Sequence, residues 1–117
     1  MNIFLVEDHP DTAALLRAYL ERRGHRVALA GTRQEALAHP ELSRMDALIC
    51  DLGLPDGSGW ELLPELRARI GPVYAVAITA RKLPEDEARS LGAGFQAHLT
   101  KPFAPHRLVE LLPSSPA

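Results

Sequence analysis

Apolar residues recur along this chain in two rhythms. Five short runs are apolar with hardly a break: Ile3–Val6, Arg26–Ala30, Ala47–Cys50, Val73–Ile78 and Gln96–Leu99. Near-continuous runs of that length read as strands buried on both faces of a parallel sheet, not as strands with one wet face. The segments between them carry helical spacing and helix end signals. Leu15, Leu16, Tyr19 and Leu20 form one stripe, with Pro10 near its start and Gly24 just past its end. Thr32 with Glu35, and Ser58 with Glu61, read as capping boxes for a second and a third helix, the second closing by Pro40. Pro84-Glu-Asp opens a fourth, where acids suit the positive end of the helix dipole, and Gly92 lies near its end. Leu108, Leu111 and Leu112 mark a short fifth helix stopped by Pro113. Pro64 falls several residues into the third helix, where it removes a hydrogen bond. The expectation there is a kink, or a helix that begins near Glu61.

Strand and helix alternate throughout, which predicts right-handed crossovers and an α/β fold: a doubly wound, five-stranded parallel sheet with five helices on its two faces. The 117 residues suffice for one domain with a single sizeable core. That domain is expected to span residues 1–112, with 113–117 a flexible C-terminal tail or linker stub. The net charge of −2 carries no bulk signal for nucleic acid or membrane surfaces. No basic segment with a long apolar stretch opens the chain, and no apolar run approaches the roughly 18 residues of a membrane span. Cys50 is the sole cysteine, so the natural setting is a reducing cytoplasm, with Cys50 packed as a small hydrophobe. Lysine is scarce: Lys82 and Lys101 are the two in the chain.

Open parallel sheets bind ligands beyond the carboxyl ends of their strands, where strand order reverses. The residues at those ends are charged or hydroxylic: Glu7-Asp8 after the first strand, Asp51 after the third, Thr79-Ala80 after the fourth, and Lys101-Pro102 after the fifth. Each has an ordinary explanation. An acidic pair can be a solvated loop or a helix cap, a threonine can be a cap, and Lys-Pro can be a turn. Their occurrence together, on one rim, is what calls for chemistry. Clustered carboxylates repel one another unless a cation compensates, and oxygen-rich acidic sites favour a hard divalent ion. Such an ion would neutralise charge on an incoming phosphoryl group and leave Asp51 as the nucleophile. Lys101 would supply a point charge for the phosphate, and the Thr79 hydroxyl a donor.

Val6-Glu-Asp8, Ile49-Cys-Asp-Leu-Gly-Leu-Pro55 with Gly59, Ile78-Thr-Ala80 and Leu99-Thr-Lys-Pro-Phe103 resemble the motifs of response-regulator receiver domains, over essentially the whole chain. The resemblance implies a flavodoxin-like fold with strand order 2-1-3-4-5. It implies that Asp51 accepts phosphate from a phosphohistidine on a histidine kinase or phosphotransfer protein. Glu7, Asp8, Asp51 and the backbone carbonyl of Gly53 would surround Mg²⁺, or Mn²⁺ in its place. Thr79 and Lys101 would bind the phosphoryl group, and the Lys101–Pro102 bond would be cis. The output would be a conformational switch through Thr79 and His98 that regulates a partner protein at helix four, strand five and helix five. No direct contact with nucleic acid or membrane is implied. Nor is enzymatic turnover, beyond self-phosphorylation and autodephosphorylation.

The chain departs from the family pattern at several positions. His98 stands three residues before the lysine, where the family often has Tyr or Phe. Gly53 and Arg81 occupy positions that modulate loss of phosphate in similar proteins, and Gly53 offers no side chain to shield an acyl phosphate. His9 follows the acidic pair, where hard-ion chemistry argues against it as a ligand. Trp60 is expected to pack at the start of the third helix. The stretch Ala93-Gly-Phe-Gln-Ala-His-Leu-Thr-Lys-Pro102 resembles receivers attached to hybrid sensor kinases. Two rival readings are weaker. A phosphatase of the haloacid-dehalogenase type wants a second acid two residues after the nucleophile, where this chain has Gly53. A binding-only pseudo-receiver typically lacks the acceptor or the acidic pair, and this chain keeps both.

Overall fold

The computed structural model describes residues 1–80 and 83–113. Strands β1 (Asn2–Val6), β2 (Arg26–Ala30), β3 (Ala47–Asp51), β4 (Tyr74–Thr79) and β5 (Ala97–Thr100) pair in parallel into one sheet. Their order is β2-β1-β3-β4-β5, so the chain reverses direction across the sheet between β1 and β3. This is the doubly wound parallel α/β sheet that the alternating pattern predicts, in the flavodoxin-like order that the resemblance implies. Five helices complete it: α1 (Pro10–Glu21), α2 (Arg33–Leu37), α3 (Gly59–Ile70), α4 (Pro84–Gly92) and α5 (Pro105–Leu111). Among the described residues, no helix is long and apolar enough to cross a membrane.

Successive strand residues feed opposite cores, which is why the runs are unbroken. From β1, Ile3 and Leu5 join Leu16, Leu20 and Leu108 beneath α1 and α5. Phe4 and Val6 join Leu62, Leu63 and Leu66 beneath α3. The stripe on α1 is shifted from the expected one: Ala13, Leu16 and Leu20 are buried, whereas Leu15 is 60% exposed. The small Ala13 was the residue that an apolar-stripe reading passed over.

The caps form as the sequence predicts, with a difference in detail. Thr32 Oγ1 accepts from Glu35 N at 3.0 Å, and Ser58 Oγ accepts from Glu61 N at 3.2 Å. The Glu35 carboxylate, however, reaches back to the Gly31 N–H at 3.1 Å. The third helix does not wait for Glu61. It starts at Gly59, directly after the Ser58 cap, and is continuous through the exposed Pro64, which forgoes the bond its N–H would make four residues back.

Between β3 and α3 the chain makes a short hairpin, pairing Gly53 with Ser58 and Leu54 with Gly57 in antiparallel register. Asp56 at its tip accepts the N–H groups of Arg33 and Gln34 at 2.7 and 2.9 Å, and those donors hold its carboxyl below the usual carboxylate range. The loop after Asp51 is thereby pinned to the start of α2. Gly59 seats α3 against the end of β3: a Cβ there would lie 3.0 Å from the Asp51 carbonyl oxygen, Cys50 Sγ and Leu52 Cδ2.

Gly59→Ala is therefore expected to cost about 1–3 kcal/mol, as overpacking does in a dense core. The measurement is the urea midpoint at unchanged m-value. An unchanged midpoint would show that α3 is free to shift away from β3.

Candidate functional site

The sheet topology carries the sequence's charged positions to one edge. Glu7 follows the last residue of β1, Asp51 ends β3, Thr79 ends β4, and Lys101 follows the last residue of β5. Neighbouring registers align these ends: Val6 pairs with Cys50, Asp51 with Ile78, and Thr79 with Thr100. The Lys101 N–H donates to the Thr79 carbonyl at 2.7 Å, and the Lys101–Pro102 bond is cis. A cavity of about 220 Å³ opens here, lined by Asp51, Gly53, Trp60, Thr79 and Lys101 among others. Asp51, Thr79 and Glu7 are all buried, so these polar groups are held by the fold and not by solvent.

One ammonium joins two buried carboxylates. Lys101 Nζ donates to Asp51 Oδ2 at 2.8 Å and to Glu7 Oε1 at 2.5 Å. The other Asp51 oxygen, Oδ1, accepts the Gly53 N–H at 2.9 Å. Burial, with the Asp51 carboxylate beside it, raises Glu7 above its ordinary value against the opposing pull of Lys101. Burial alone would lower Lys101, but its bonds to Asp51 and Glu7 outweigh that and raise it. Asp51 thus stands fixed at both oxygens, with its carboxylate turned into the cavity. The neighbouring Cys50 thiol is fully buried, and burial raises it far above the range where a thiolate would form, so it acts as packing.

The donor set suits a hard cation. Glu7, Asp8, His9 and Asp51 each bring one ligand atom to within 4.8 Å of the others. Asp8 Oδ1 is buried with no hydrogen bond among the described residues, so it has acceptor capacity to offer a cation. His9 comes nearer than the sequence suggests: its Nδ1 lies 3.3 Å from both Glu7 Oε2 and Asp8 Oδ1. The exposed imidazole remains at the margin of an otherwise oxygen-only set.

The structure puts other expected residues elsewhere. His98 does not line the cavity; it lies in β5 with Nδ1 2.9 Å from Ser90 Oγ of α4. Gly53 takes part through its N–H, a contact that sequence reasoning did not foresee. Trp60 lies in the first turn of α3, as expected, but it also forms part of the cavity wall and bonds Ser90 through Nε1 at 2.9 Å. Ser90 was missed altogether. Its one signal was a polar residue four positions after Asp86, on the face where α4 should have been apolar. Arg81 and Lys82 lie outside the described residues, as do 114–117 of the expected tail.

Lys101→Met would leave Glu7 and Asp51 facing each other without their cation. The expected cost at neutral pH is about 2 kcal/mol. That is less than the roughly 3–5 kcal/mol of a fully buried pair, because 19% of the Lys101 side chain still reaches solvent. Glu7 is raised in the fold, so the stability linked to it is present below the ordinary value of 4.5 and lost as pH rises through the raised one. Removing Lys101 raises it further. The deficit in urea midpoint should be largest at neutral pH and shrink as pH falls toward 4.5; a deficit that ignores pH would refute this electrostatic account.

The family model of the response regulator receiver domain matches residues 3–113. An uncharacterised 14.6 kDa protein of Leptolyngbya boryana is 37% identical over 114 residues, which cover 96% of this chain and 87% of that one. The KDP operon transcriptional regulatory protein KdpE of Escherichia coli K12 is 38% identical over 102 residues, covering 87% of this chain and 45% of KdpE. The chain thus spans less than half the length of that regulator. A crystal structure of a CheY-like response regulator receiver domain protein from Methanospirillum hungatei JF-1 superposes with a TM-score of 0.83. It is 29% identical and covers 93% of this chain and 87% of that one. With the match running from the first strand into the last helix, on a sheet of the same order, the chain belongs to the response regulator receiver domain family.

Proposed function

We propose that this chain is a phosphorelay receiver in which Asp51 accepts a phosphoryl group from the phosphohistidine of a histidine kinase or phosphotransfer protein. The observation that carries the reading is the Asp51 carboxylate, buried at the rim of β3 and held at Oδ1 by the Gly53 N–H and at Oδ2 by Lys101. A carboxylate fixed at both oxygens is preorganised for attack, because it loses little freedom on reaching the phosphorus. In the transfer a carboxylate oxygen forms the new O–P bond as the donor's N–P bond breaks, and the departing imidazole takes up a proton. Lys101 follows the transferred charge, exchanging its bond to Asp51 for one to a phosphoryl oxygen. The Thr79 hydroxyl, buried at the end of β4 on the same cavity, donates to another.

Glu7, Asp8, Asp51 and the Gly53 carbonyl are the groups that would hold Mg²⁺ or Mn²⁺. That ion would supply charge neutralisation between the acids and the incoming phosphoryl oxygens. The chain is an acceptor that reacts once per phosphoryl group, not an enzyme that turns over free substrate: at position 53 there is no acid to protonate a leaving group. The partner engaged downstream would meet the surface of α4, β5 and α5. What output lies beyond this module belongs to the longer regulators it resembles, of which it spans only part.

Incubating the protein with acetyl phosphate and Mg²⁺ and weighing it intact tests the reading. One phosphoryl adduct is expected, lost in Asp51→Asn and on chelation of the metal. Continuous release of inorganic phosphate would instead indicate a phosphatase, and no adduct with any donor a binding-only module.

A further inference from the structure

Helix α4 is fastened to the fold in an uncommon way. The side chains it buries are Asp86 and Ser90, both polar. Leu83 at its N-cap and Leu91 in its last turn are 44% and 53% exposed. Apolar burial, the usual anchor of a surface helix, is nearly absent along its length. Its seating therefore depends on directional polar contacts, and Ser90 makes two of them.

Ser90 is 0% exposed and sits between side chains from two other elements. Trp60 Nε1, at the start of α3, lies 2.9 Å from Ser90 Oγ, and His98 Nδ1, in β5, lies 2.9 Å from the same atom. An indole N–H can only donate, so Ser90 Oγ accepts from Trp60. His98 Nδ1 bonds the same oxygen, taking the hydroxyl proton or donating to its second lone pair according to the imidazole tautomer. The guanidinium of Arg89, next to Ser90, lies over the Trp60 ring 4.0 Å from its centroid and holds the indole from outside. Trp60 is also a wall of the cavity that contains Asp51, Thr79 and Lys101. One unbroken set of contacts thus runs from the acceptor cavity, through a buried hydroxyl, to the edge strand of the sheet.

We propose that Ser90 is the positioning residue of a hydrogen-bonded chain, Trp60–Ser90–His98, through which occupancy of the Asp51 cavity sets the seating of α4 on β5. The occupancy arm rests on Asp51 being the acceptor. A group filling that cavity meets the indole, and a rigid indole cannot move without bending its bond to Ser90. Hydrogen bonds weaken steeply on misalignment, and a buried hydroxyl has no water to turn to. Since α4 has little apolar surface holding it in place, the loss passes to the helix and to His98 instead of being absorbed. Ser90 touches neither substrate nor metal; it acts through Trp60.

A double-mutant cycle decides the proposal, read on the carbon-bound proton resonances of the His98 imidazole, which are assigned by their loss in His98→Gln. With Ser90 present, Trp60→Phe is expected to shift these resonances. In the Ser90→Ala background it is expected to leave them in place. Beryllofluoride with Mg²⁺, which mimics an aspartyl phosphate, should shift them in the wild type and in Ser90→Thr, which keeps the hydroxyl. In Ser90→Ala the shift should vanish although the phosphoryl adduct from acetyl phosphate still forms. Equal effects of Trp60→Phe with and without the hydroxyl would overturn the proposal, as would an undiminished beryllofluoride response in Ser90→Ala. If the wild type takes no phosphoryl group at all, the acceptor reading fails, and the cycle in the unloaded protein alone judges the chain.

Discussion

Two carboxylates nearly cut off from solvent share a single ammonium in this protein. Lys101 reaches Glu7 and Asp51 at 2.5 and 2.8 Å, and the three residues come from the ends of β1, β3 and β5. Placing like charges side by side away from water costs several kcal/mol per ion unless a cation and hydrogen bonds compensate. The fold meets that cost with Lys101 and the Gly53 N–H, and leaves Asp8 Oδ1 without a hydrogen bond among the described residues. Three carboxylates against one ammonium leave the rim short of a second cation. That shortfall is the physical basis for reading it as a site where a divalent ion and a phosphoryl group meet.

The rest of the architecture serves this cluster. The order β2-β1-β3-β4-β5 sets β1 beside β3 and opens the crevice in which the acids of β1 face Asp51. Gly59 lets α3 close over the end of β3, and Asp56 pins the following hairpin to α2, so the loop that supplies the Gly53 N–H is fixed from two sides. Preorganisation of this kind suits the proposed transfer, in which a carboxylate nucleophile needs only to be aimed.

Much of this was legible in the sequence because it is encoded locally. A charged or hydroxylic residue directly after an unbroken apolar run marks a strand end, so the sequence alone places Glu7, Asp8, Asp51, Thr79 and Lys101. Thr32 and Ser58 likewise announce their caps within four residues. What escaped depends on contacts between distant elements. The face of α1 is chosen by the sheet beneath it, and the sheet selects Ala13 over Leu15. Helix α3 begins at Gly59, directly after its Ser58 cap and seated against β3, although Pro64 suggested a kink or a start near Glu61. Ser90 looks like an ordinary helix residue until Trp60, thirty positions earlier, and His98, eight later, are brought to its hydroxyl.

The same distinction separates the rim, whose motifs resemble those of the receiver family, from what is particular to this chain. His98 offers nitrogens where an apolar ring would offer only bulk, and in this fold it uses one of them on α4. All of it presupposes that Asp51 is where the phosphoryl group arrives. The most direct measurement is to reduce acetyl-phosphate-treated protein with borohydride, which converts an aspartyl phosphate to homoserine, and to map the product by peptide sequencing. The account predicts homoserine at position 51 and nowhere else. Homoserine at Asp8, at any other aspartate, or at none would contradict it.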